Sequence, residues 1–112
     1  MNKSLKNLIE RSVIAFATSS ANQPHVIPVA CAKVVNSMII ITDNFMKKTK
    51  LNIIKNKSVA LAFWKGDDCY KISGKATYHN KGKWLDFVKK IKENNGLPAK
   101  GAIIIKINKI SK

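Results

Sequence analysis

Six short segments rich in Val, Ile, Ala and Phe recur along this chain about every ten residues or more, with turn-forming residues or helical patterns between them. They are Ser12–Thr18, His25–Val35, Met38–Thr42, Ser58–Trp64, Cys69–His79 and Gly101–Ile110. A linker as brief as Asn36-Ser37 joins antiparallel neighbours, because parallel strands need a crossover of about a dozen residues. The pattern therefore predicts a mainly β fold with short helices, a small closed or partly split antiparallel barrel. The 112 residues suffice for one core and one domain, residues 1–112, but leave little room for a deep private ligand site. A sizeable ligand is expected to need a second subunit.

Three stretches have helical spacing. Ser4 can cap a first helix whose apolar face is Leu5, Leu8 and Ile9. Asp43-Asn44 can cap a second, Phe45 to Lys55, anchored by Met46, Leu51 and Ile54. Trp84, Phe87, Val88 and Ile91 fall at i, i+3, i+4 and i+7 and mark an amphipathic third helix. Pro28 inside its segment predicts an edge or a bulge, and Gly74 predicts a bulge or the close approach of another backbone.

The 21 Lys and Arg against six Asp and Glu leave a net charge of +15, of which a single Arg, Arg11, is part. The lysines are spread along the whole chain. Base reading and bidentate phosphate recognition favour the planar fork of Arg, so this pattern argues against nucleic acid as the principal ligand, although a basic nucleic-acid-binding module remains the alternative of a different class. No apolar stretch approaches the roughly 20 residues that span a bilayer, and Met1 to Lys6 is polar, which predicts a cytoplasmic protein without membrane attachment. Cys31 and Cys69 form no metal-binding or redox pair and are expected to be buried thiols. His25, His79 and Asp67-Asp68 have the settings of ordinary surface or turn residues, and no metal spacing or nucleophile motif links them. Chemistry, if present, is expected to reside in a bound cofactor.

One segment has the composition of a ligand site: Thr42 to Asn52, with Lys47, Lys48 and Lys50 at a helix start. Free N–H groups already give a helix start about half a positive charge, so lysines there invite an anion. Helix N–H groups, the lysine ammoniums and the Thr49 hydroxyl could together chelate a phosphomonoester, with Asn52 one turn on to fix the loop or a second ligand group; a solvated lysine-rich face would read the same.

The order of elements and several motifs resemble the pyridoxamine 5'-phosphate oxidase-related, FMN-binding split-barrel proteins, especially the smallest of them. Ile14 to Ser19 followed by Gln23 to Val29 is similar to the opening hairpin, Met46 to Asn52 to the phosphate loop and helix, and Tyr70 to Tyr78 to a glycine-containing strand. The resemblance implies a six-stranded, Greek-key split barrel and a homodimer with FMN in each of two clefts at the subunit interface. Carried over by position, Lys47, Lys48 and Thr49 hold the phosphate and Asn52 supports their helix. Pro28, Val29 and Ala30 on one strand and Ile41, Thr42 and Asp43 on another border the isoalloxazine, and Trp64 closes the cleft from the partner. Related split barrels host a deazaflavin or haem instead. The longer oxidases carry substrate contacts in a C-terminal extension with no counterpart after Ile110-Ser111-Lys112, so the resemblance implies an electron carrier or small flavin-dependent oxidoreductase.

Overall fold

The computed structural model describes residues 1–112. Its elements are α1 (Lys3–Arg11), β1 (Ile14–Ser20), β2 (Gln23–Val29), β3 (Ala32–Val35), β4 (Met38–Asp43), α2 (Lys47–Lys55), β5 (Ser58–Lys65), β6 (Asp68–His79), α3 (Lys83–Lys89), a 3-10 turn (Lys92–Asn94) and β7 (Gly101–Ser111). The strands form one antiparallel sheet ordered β2-β1-β5-β6-β7-β4-β3. β2 and β3 are its two edges, yet Ala30 and Cys31 alone separate them in the chain. Three Cα steps reach at most about 11 Å, so the two edges must meet at that corner and the sheet must curl into a split barrel.

The count is seven strands where six are expected from sequence. The return segment His25–Val35 is not continuous: up to Val29 it pairs with β1, and from Ala32 it pairs with β4. A strand that changes partners has to break its ladder. α1 is capped by Asn2, whose Oδ1 accepts the Leu5 N–H at 2.8 Å, in place of Ser4, which lies inside the helix. From α1, Glu10 accepts the Val34 N–H at 2.8 Å and so covers the open edge at β3. α3 ends at Lys89, short of Ile91.

Alternation fills the barrel. Ile14 and Phe16, Ile39 and Ile41, Leu61 and Phe63, Ile72 and Ala76, and Ile103 and Ile105 form its core with Ile9 and Ile53. A second cluster, Ile40, Ala102 and Ile104 with Val88 and Ile91, lies under α3. β4 and the first half of β7 are thus buried on both faces, which is why they read as unbroken apolar runs. Gly74 sits at a register shift between β6 and β7, where a Cβ would collide with the Lys106 carbonyl oxygen. Of the two thiols, Cys31 is half-buried but Cys69, at the start of β6 opposite Trp64, is exposed, contrary to expectation. No helix is long and apolar enough to cross a membrane.

Candidate functional site

Three inward-facing rows run apolar and then end in a polar side chain. They are Ile14-Phe16-Thr18 on β1, Ile39-Ile41-Asp43 on β4, and Ile72, Ala76 and Tyr78 on β6. All three polar ends bond to α2, to its entry loop or to each other. Asn52 Nδ2 donates to Thr18 Oγ1 at 3.0 Å, and Asn56 Nδ2 to Ser19 Oγ at 3.2 Å. Asp43 Oδ1 accepts the Met46 N–H at 2.7 Å, and its Oδ2 accepts from the Tyr78 hydroxyl at 2.5 Å. α2 therefore lies against β1 and β6, burying Thr49, Asn52 and Ile53.

The start of α2 is electrostatically one-sided. Met46 stands at the N-cap and its side chain makes no capping hydrogen bond, and no acidic residue lies in the first turn. The first N–H groups of a helix have no intrahelical acceptor, and here Lys47 and Lys48 add cations beside them. The Thr49 hydroxyl is buried without a hydrogen-bond partner, as is that of Thr42. A buried hydroxyl left unpaired costs about 1–3 kcal/mol, so an acceptor supplied at this turn would be stabilising. The arrangement suits an anion with several oxygens.

Lys48 and Lys50 are about 200° apart around the helix and so lie on opposite flanks of it. The Lys50 flank opens into a cavity of about 420 Å³ shared by Asp43, Met46, Lys47, Tyr78 and Lys100. Lys50 Nζ lies 4.9 Å from the centre of the Tyr78 ring. Burial, then the hydrogen bond to Asp43 and its negative charge, push the Tyr78 hydroxyl well above the ordinary tyrosine range, so it remains a donor.

The expected ligand residues divide by burial. Pro28, Ala30, Lys47, Lys48 and Trp64 are exposed, whereas Val29, Ile41, Thr42, Asp43, Thr49 and Asn52 are buried. Ile41 is wholly in the core, between β3 and β7, and its side chain cannot reach a ligand. Ala32 pairs with Ile41, so the Pro28–Ala30 corner lies beside the end of β4. Trp64 is not brought to this place within one subunit: it borders a separate depression with Arg11, Ser12, Val13 and Lys65. Pro28 instead adjoins another surface. It pairs with Ala15, which with Ala17, Ala60, Ala62 and Val26 lines an outward depression of about 430 Å³.

Thr18, Tyr78 and Lys100 are absent from the sequence-based set. Strand parity carries a signal for the first two, since each continues an inward apolar row by two residues. Nothing local marks Lys100, whose N–H reaches the Asp43 carbonyl at 2.7 Å from more than fifty residues away.

The family model described as pyridoxamine 5'-phosphate oxidase matches residues 1–112. The uncharacterized protein MJ0282 of Methanocaldococcus jannaschii is 33% identical over 109 residues, covering 91% of this chain and 73% of that protein. Among solved structures, HupZ of Group A Streptococcus is 25% identical with a TM-score of 0.87, covering 98% of this chain and 91% of its own. Two others, each 16% identical, share the fold. An FMN-binding protein of Syntrophomonas wolfei has a TM-score of 0.77, covering 95% of this chain and 81% of its own. An F420 reductase has a TM-score of 0.76, covering 99% and 98%. The curled antiparallel sheet is the split barrel of these proteins, and the chain belongs to the pyridoxamine 5'-phosphate oxidase family.

Proposed function

We propose that this protein is a homodimeric, cytoplasmic FMN-binding flavoprotein that acts in electron transfer or flavin-dependent reduction. The observation that carries the reading is the start of α2, where free helix N–H groups, Lys47, Lys48 and a buried, unpartnered Thr49 hydroxyl lie within one helical turn. These groups fit a phosphomonoester. Lys47, Lys48 and Thr49 would hold the phosphate, and Asn52, bonded to Thr18, keeps their helix against β1. Exposed Pro28 and Ala30, with the backbone at Val29 and at Thr42-Asp43, would border the ring. FMN, when bound, supplies the group that accepts electrons or hydride. The lysines around it favour the negatively charged reduced form and so raise its potential.

One subunit alone leaves the site open. Pro28 is continuous with the alanine-lined outer face of β1, β5 and β6, where Ala15 pairs with Ala62 and Ala17 with Ala60. Such small side chains let a second copy approach closely, and its Trp64 would then close the cleft. The FMN-binding protein with the same fold adds support from outside the chain.

The test is the absorption spectrum of the purified protein, followed by titration with FMN and with riboflavin. A flavin spectrum, and FMN binding that weakens at least about tenfold in the Lys48→Ala/Thr49→Ala variant while riboflavin binding is unchanged, is the expected result. Unchanged FMN affinity in that variant overturns the phosphate assignment. A colourless protein that takes up no flavin and binds DNA with steep salt dependence overturns the reading altogether.

A further inference from the structure

Asp43 is only 2% exposed, and both its carboxylate oxygens and its carbonyl accept hydrogen bonds, two of the three from residues distant in the chain. Oδ1 holds the Met46 N–H at 2.7 Å, Oδ2 holds the Tyr78 hydroxyl at 2.5 Å, and its carbonyl holds the Lys100 N–H at 2.7 Å. Met46 is the residue from which α2 starts. The position of Lys47, Lys48 and Thr49 is thus set by a carboxylate that Tyr78 fixes from β6. The barrel is built to admit that hydroxyl: Gly101 pairs with Asp43, and a Cβ there would occupy the place of the Tyr78 hydroxyl and ring edge.

We infer that Tyr78 is the positioning residue that makes the site select a phosphorylated flavin, by holding the start of α2 through Asp43. This rests on the phosphate reading of α2 and extends it to a residue on another element, outside the set proposed to hold the phosphate. A phosphate needs several donors in register at once, whereas the ring is bordered by the Pro28–Ala30 corner and the end of β4. Loosening the turn therefore weakens recognition of the phosphate and spares that of the ring. Lys50 strengthens the arrangement, since its ammonium over the Tyr78 ring holds the ring from the solvent side.

Tyr78→Phe isolates the hydroxyl, because it keeps the ring, its packing and the Lys50 contact. We expect FMN affinity to fall about tenfold or more while riboflavin affinity stays within about twofold, the loss corresponding to one hydrogen bond to a charged group. In the ligand-free variant the Met46 amide should exchange faster with solvent. Asp43→Ala, which removes the acceptors of both the Met46 N–H and the Tyr78 hydroxyl, should likewise abolish the preference for FMN. Equal loss of FMN and riboflavin in Tyr78→Phe, or loss of neither, overturns the inference. If Lys48→Ala/Thr49→Ala still lowers FMN affinity selectively, the phosphate reading survives that failure. If neither variant alters the FMN-to-riboflavin ratio, both fall.

Discussion

The Asn52 carboxamide on α2 donates to the Thr18 hydroxyl on β1 across 3.0 Å, with both residues almost closed to solvent. This bond joins the helix that carries the lysines to the first strand of the barrel. Asn52→Ala would strand the Thr18 hydroxyl and should lower stability by about 1–3 kcal/mol, read as a reduced urea midpoint at unchanged slope. The Thr18→Val/Asn52→Leu double variant should lose less than the sum of the two single changes, because no polar group is then left unpaired. Additive losses would show that the two side chains act separately.

Gly74 marks the shift in register between β6 and β7, and its missing Cβ leaves room for the Lys106 carbonyl. Gly74→Ala forces backbone against backbone, with the Ile105 side chain close behind. The expected cost is about 1–3 kcal/mol or more in chemical denaturation, with faster amide exchange along β7. A neutral result would mean that the bulge relaxes freely.

Lys33 Nζ lies 2.7 Å from a Glu93 carboxylate oxygen and ties β3 to the turn after α3. Their hydrogen bond is the main cause of a lowered Glu93 carboxyl and a raised Lys33 ammonium. A lowered carboxyl adds stability above its ordinary value of 4.5 and loses it as pH falls through the folded value. A raised ammonium adds stability below its ordinary value of 10.5 and loses it as pH rises through the folded one. The stability difference between the protein and Glu93→Gln should therefore be level between these values and close towards both extremes. It should be small and shrink with salt, since Glu93 is exposed. A difference that persists at strongly acid pH would assign the effect to packing.

Ala60 sits in the middle of the outer depression, paired with Ala17 on one side and Ser73 on the other. If the proposed homodimer uses this face, Ala60→Glu should give monomers in sedimentation while leaving the circular dichroism spectrum intact, and FMN binding should weaken with it. Dimers of unchanged stability would place the subunit contact on another face.

The six apolar segments, the amphipathic stripe of α3, the turn at Asn36-Ser37 and the bulge at Gly74 were legible along the chain, because alternation, helical spacing and turn chemistry act over a few residues. The turn has φ of 50° and 61° at Asn36 and Ser37, a conformation that two small polar residues tolerate. The lysine-rich start of α2 was legible for the same reason: a helix end has its charge wherever it is placed. The break at Ala30-Cys31 was not, since nothing in those residues requires it; it follows from a sheet whose edges must meet. Nor could local pattern tell that Cys69 is exposed or that Ile41 is sealed between two strands.

Sequence alone determined the composition of the candidate site, that is, which side chains could hold an anion. Tertiary structure decided how they are held. The curl of the sheet brings the ends of the rows on β1, β4 and β6 around one helix, so that Thr18 meets Asn52, 34 positions away, and Asp43 meets Tyr78, 35 positions away. Bonds of that span depend on strand order and closure, and no short-range preference of the chain encodes them.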